Sequence, residues 1–89
     1  MEELTYLQDP GHGWIRCPIT LAEQLGFAAR VSPYSYHQTE TGDIWLEEDC
    51  DAALLIEALR ERGIAYRLHE IVINGDAVVR SFRRWGQQS

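Results

Sequence analysis

The chain begins with short extended patterns broken by turn residues. Over residues 4–7, Leu4 and Tyr6 fall on one side of a strand and Thr5 and Leu7 on the other. Asp9-Pro10-Gly11-His12-Gly13 interrupts this run as a tight turn, and residues 14–17 are extended again. Leu21 and Leu25 are spaced for one helix face, Thr20 and Glu23 have the spacing of a capping box, and Gly26 is placed to end a helix of barely two turns. After the break at Ser32-Pro33, Tyr34, Tyr36 and Gln38 alternate with Ser35, His37 and Thr39, which predicts a strand with an aromatic face. Thr41-Gly42-Asp43 turns the chain, and Ile44-Trp45-Leu46 reads as the second arm of a hairpin.

The strongest helical pattern spans residues 50–62. Leu55, Ala58, Leu59 and Arg62 recur at helical spacing, Asp49 is a candidate N-cap, Asp51 stands where the helix dipole favours an acid, and Gly63 is the stop. Residues 65–73 are β-rich, and Asn74-Gly75 predicts a two-residue hairpin turn with 77–82 as the returning strand. The order predicts one α+β domain over residues 1–85 with a frayed tail at 86–89. Its expected architecture is a small antiparallel sheet of four to five strands, one long helix packed on one face and one short helix.

Charge adds a constraint. Fourteen acids stand against eight bases, a net charge of −6, and all eight bases are arginine. An acidic chain is poorly suited to binding nucleic acid directly, since phosphates need neutralising, but it suits a basic protein surface. No run is long and apolar enough to span a membrane, and the acidic start is unlike a secretion signal, so a cytoplasmic setting with reduced Cys17 and Cys50 is expected.

The residues that carry chemistry are scattered. Asp9, His12, Cys17, His37, Cys50 and His69 are ligand types, yet no close pair of the kind structural zinc sites use is present. Asp43 and the acids of 47–51 offer oxygens without the spacing of a calcium loop, and Glu47 and Glu48 point to opposite faces if the strand continues. Cys50 with His12 or His37 is the nearest approach to a thiol–imidazole pair, but Asp49 and Asp51 flank it and oppose a thiolate. No catalytic residue, metal or cofactor is therefore expected. Tyr34, Tyr36, Trp45 and Trp85 are stacking residues in type, although an aromatic face without nearby bases reads as core.

The acidic run stands out. Between Val31 and Leu59 the acids are Glu40, Asp43, Glu47, Glu48, Asp49, Asp51 and Glu57, with no base among them. Capping accounts for Asp49 and Asp51 but not for Glu40, Asp43, Glu47 or Glu48. A field of one sign steers a chain toward a basic partner, and carboxylates spaced along a strand and turn can imitate phosphates. Glu40, Asp43, Glu47, Glu48, Asp49 and Asp51 are the expected partner-binding residues.

Three segments, Asp9-Pro10-Gly11-His12-Gly13-Trp14, Ser32-Pro33-Tyr34-Ser35-Tyr36 and Leu46-Glu47-Glu48-Asp49-Cys50-Asp51, resemble those of a family of small proteins from bacteriophages and prophages of proteobacteria. By size, charge and that setting the chain is similar to anti-CRISPR inhibitors. The resemblance implies a monomeric, non-enzymatic inhibitor that acts in the cytoplasm of a bacterial host cell. It would bind a basic nucleic-acid-binding surface of a CRISPR effector. An accessory phage domain that makes a protein or self contact through Tyr34, Tyr36, Arg80, Arg83, Arg84 and Trp85 is the alternative.

Overall fold

A computed structural model describes residues 1–86. Six strands form one mixed sheet: β1 (Glu2–Gln8), β2 (Gly13–Pro18), β3 (Tyr36–Gln38), β4 (Asp43–Glu47), β5 (Tyr66–Val72) and β6 (Arg83–Arg84), in the order β5-β1-β2-β4-β3-β6. Two helices join them, α1 (Ile19–Gln24) and α2 (Ala52–Glu61). The fold is α+β, as the element order predicts. The sheet is neither wholly antiparallel nor limited to five strands, and the longer helix has 10 residues. Except for Gly86, the expected tail lies outside the described residues. Among the described residues, no helix is long and apolar enough to cross a membrane.

The 36–47 hairpin forms as expected. β3 and β4 pair antiparallel across Thr41-Gly42, with Tyr36 opposite Trp45 and Gln38 opposite Asp43. β3 begins only at Tyr36; Tyr34 sits in the preceding turn and is 63% exposed. β4 lies between β2 and β3, and every one of its residues is buried. Its two side-chain sets therefore enter two cores. Ile44 and Leu46 join Leu4, Ile15, Cys17, Leu55 and Leu59 under the helices, while Trp45 joins Leu7, Trp14, Tyr36, Ala77 and Val79 on the opposite face.

That second core overturns the expectation of a sheet covered on one face. The Asn74-Gly75 hairpin does not form, and residues 77–82 do not return beside β5. β5 pairs instead with β1, in parallel, with Leu4 beside Leu68 and Gln8 beside Val72. α2 is the crossover that permits this, carrying the chain from β4 past β2 and β1 to the sheet edge. The C-terminal segment then crosses the second face as a 3-10 turn (Val78–Ser81) and ends in β6 against β3. A long-range contact overrides the local turn signal. The buried carboxylate of Asp9 accepts the Ala77 N–H at 3.0 Å and the Arg80 guanidinium at 2.7 and 2.9 Å, which draws this segment across the sheet.

Helix ends also differ from expectation. Pro18 occupies the N-cap of α1 and Thr20 lies inside the first turn, so the Thr20–Glu23 capping box is not formed. Asp51, not Asp49, stands at the N-cap position of α2, and its side chain makes no cap bond. The turn before α2 is held by Glu47, whose Oε2 accepts the N–H groups of Asp49 (2.9 Å) and Cys50 (3.0 Å). The end of α2 follows the sequence signal. Gly63 adopts φ +66°, a conformation costly for a residue with a Cβ, and Gly63 N and Ile64 N donate to Arg60 O and Leu59 O.

Candidate functional site

The six predicted partner-binding residues do not form one acidic row. Asp43, Glu47 and Asp51 are buried and hydrogen-bonded inside the protein, which corrects their reading as surface groups. Asp43 Oδ2 accepts Thr41 Oγ1 at 2.7 Å and pairs with Arg16 Nε at 3.0 Å. Asp51 Oδ2 accepts the Ser32 N–H (3.1 Å), the Ser32 hydroxyl (2.7 Å) and the Ser35 hydroxyl. Glu40, Glu48 and Asp49 are exposed but separate. Glu40 lies in the β3–β4 turn, beyond one end of β4, and Glu48 and Asp49 beyond the other. Glu48 then turns away to accept the hydroxyl of Tyr6. That bond, more than burial, pushes the Tyr6 pKa up to about 12. Gly13 is needed beside this pair, because a Cβ there would lie 2.7 Å from the Tyr6 ring.

What the structure does bring together is the set of three segments at 9–14, 32–36 and 46–51. Ser35 is the junction between the second and third. Its hydroxyl donates to Asp51 and accepts the Glu47 N–H at 3.0 Å. The first and third meet where Glu48 N donates to Gly13 O at 2.9 Å and where Trp14 faces Glu47 across the β2–β4 ladder. Asp9 orders the first segment from within, accepting the Gly11 and His12 N–H groups at 3.0 and 2.9 Å.

These segments and the C-terminal crossing enclose a cleft of about 670 Å³ on the second face of the sheet. That is within the size range of small-ligand and side-chain pockets. Trp14, Tyr34 and Tyr36 supply its aromatic lining, and His12, Glu47, Asp49, Cys50, Arg80 and Arg84 its polar lining. The guanidinium of Arg80 lies 5.2 Å from the Trp14 ring centre and that of Arg84 5.0 Å from Tyr36, both within cation–π range. Asp9 neutralises Arg80. Arg84 has no carboxylate partner among the described residues; it donates to Pro33 O at 3.3 Å. Trp14 is 1% exposed, and its indole Nε1–H is the one buried side-chain polar atom without a partner among the described residues.

His12, Glu47 and Asp49 each place a ligand-type atom within 4.8 Å of the others. His12 Nδ1 stands 3.3 Å from Glu47 Oε1. The Glu47 carboxylate beside Cys50, with burial and the neighbouring acids, raises the pKa of the thiol. Cys50 is exposed, whereas Cys17 is buried, with its pKa raised by desolvation to about 12.

His12, which the sequence offers as a partner for Cys50, lies against Glu47 instead, and no sequence signal joins Trp14 or Arg80 to the acidic run. The turn signal at residues 9–13 was legible, but its partners lie on other elements. Comparison of the chain with protein families, curated proteins and solved structures finds no match.

Proposed function

We propose that this chain is a non-enzymatic binding domain whose recognition surface is the cleft, with a basic segment of another protein as its partner. The convergence of three separate segments on one aromatic-lined cleft carries the reading. Tyr34 is exposed there, Asp49 adds an exposed carboxylate, and the buried Glu47 adds negative charge behind it. Trp14 and Tyr36 already carry Arg80 and Arg84, so the exposed Tyr34 beside the Asp49 carboxylate is the face that suits a partner's arginine or lysine side chain. The net charge of −6 favours encounter with a basic surface. The resemblance to small phage inhibitors makes the basic channel of a CRISPR effector the particular partner proposed, in a bacterial cytoplasm. Blocking that channel would exclude target DNA without any reaction.

The reading departs from simple phosphate mimicry, because the exposed acids do not lie in a row. Two variants separate the ideas when titrated against a purified effector complex. Asp49→Arg should weaken binding at least about tenfold, the equivalent of roughly 1.4 kcal/mol, whereas Glu40→Arg should change it little. Equal losses from both would favour a distributed acidic face. A folded Asp49→Arg chain that still binds and inhibits as well as the parent would sink the cleft reading.

A second reading rests on a different observation. The outer strand β5 is largely exposed, including Leu68, Ile71 and Val72, and its outer edge is unpaired among the described residues. Such an edge can add a strand from another chain, as an accessory interaction domain would. A stable homo-oligomer in light scattering that dissociates on Ile71→Lys would favour it.

A further inference from the structure

We propose that His12, Glu47 and Asp49 form a binding site for a divalent transition-metal ion, zinc first, in the wall of the cleft. The imidazole nitrogen and two carboxylates are a donor set used by zinc and by the neighbouring first-row ions, and three protein ligands leave one position of a tetrahedral ion for solvent or a further donor. The spacing supports this. His12 Nδ1 and Glu47 Oε1 are 3.3 Å apart, long for a charge-assisted hydrogen bond. It is close to the edge of about 3.4 Å between ligands of a tetrahedral ion with bonds of about 2.1 Å. The remaining separations, up to 4.8 Å, close by small rotations of His12 and Asp49, whose side chains are exposed.

The surroundings hold the donors as metal-site surroundings do. Glu47 Oε2 is fixed by two backbone N–H groups, which directs Oε1 toward His12. The His12 backbone is in turn fixed by Asp9, itself anchored by Arg80. Oriented ligands of this kind bind metals more tightly than free ones. Glu47 also differs from the buried Asp9 and Asp43, each of which has a guanidinium partner; among the described residues its one titratable partner of basic type is His12. Trp14, opposite Glu47 in the ladder, lines the same cleft and walls the cluster with an apolar ring.

The inference does not rest on the partner reading, although the two meet at Asp49. A bound dication cancels the charges of Glu47 and Asp49, so loaded and free chains present different fields to a basic partner.

The test uses the full chain alone, stripped with chelator and titrated with Zn²⁺ by calorimetry and with Co²⁺ by visible absorption. One ion per chain is expected. His12→Ala and Asp49→Asn should each weaken Zn²⁺ at least about tenfold, and Glu40→Gln should bind as the parent does. Both altered side chains are exposed, so folding is retained and is checked by circular dichroism. Sub-stoichiometric uptake by the parent, or undiminished affinity in the two folded variants, overturns the site. No partner is present in this titration, so its failure leaves the partner reading standing, and failed partner capture leaves the metal site standing.

Discussion

Asp9 and Arg80 lie 71 positions apart and form one two-pronged ion pair, with Nε on Oδ2 at 2.7 Å and Nη2 on Oδ1 at 2.9 Å. The pair holds the 9–13 turn against the C-terminal crossing and so closes one wall of the cleft. Arg80→Ala would leave a buried carboxylate without its counter-charge. The expected loss is roughly 3 kcal/mol in urea unfolding, at the low end for a broken buried pair because three backbone N–H groups remain on Asp9.

The same pair sets an acid limit. The Arg80 guanidinium, aided by the backbone donors, holds the Asp9 carboxyl well below the usual carboxylate range, against the opposing effect of burial. The unfolded chain therefore takes up this proton first. The pair's contribution is complete above about pH 5 and declines as pH falls through about 4 and below. Unfolding free energy measured from pH 7 down to pH 3 should fall, and Arg80→Ala should flatten that fall. A parent stability independent of pH over this range would contradict the assignment.

Ser35 should be disproportionately important for its size. It is fully buried, donates to Asp51 and accepts from the Glu47 backbone. Ser35→Ala leaves both partners short of a bond, and about 1–3 kcal/mol of destabilisation is expected. Combined with Asp51→Ala, the loss should be less than additive by at least about 0.5 kcal/mol, since both changes remove the Ser35–Asp51 bond.

Tyr6 offers a spectroscopic check on the placement of Glu48. Its hydroxyl should ionise near pH 12 in the parent. In Glu48→Gln the transition should move toward the ordinary tyrosine value of about 10. Absorbance of phenolate during alkaline titration reads this directly, and an unchanged curve would show that the hydroxyl does not donate to Glu48.

The two thiols should separate cleanly. Cys50 is exposed at the cleft and Cys17 is buried beneath the helices. An aromatic disulfide reagent should therefore modify one thiol per folded chain, and both only after denaturation. Mass analysis of the labelled peptides identifies which, and rapid labelling of Cys17 in the native chain would contradict the packing described.

Local signals placed much of the fold. Residues 52–61 are helical where Leu55 and Leu59 repeat, Gly63 ends that helix, and Thr41-Gly42 turns the β3–β4 hairpin. What stayed hidden depends on pairings between distant segments. Asn74-Gly75 is a sound hairpin signal, but the β1–β5 pairing and the hold of Asp9 on Ala77 and Arg80 prevail over it. The burial of Asp43 and Glu47 was partly legible. With Trp45 they occupy alternate positions of one strand, and a tryptophan between two acids on the same face signals a covered face rather than a solvated one. The serines that satisfy Asp51, and the histidine facing Glu47, come from other segments and could not be assigned from spacing.

The parallel pairing of β1 with β5 also bears on how the chain emerges during synthesis. β1 finds β2 within a few residues, but its other edge has no mate until residues 66–72 have been made. For most of translation Leu4 and Leu7 therefore sit beside an open strand edge that can template pairing with a neighbouring nascent chain. Chaperone dependence or inclusion-body formation in this protein should thus track the speed with which α2 and β5 arrive, and slowing translation between residues 48 and 72 should worsen both.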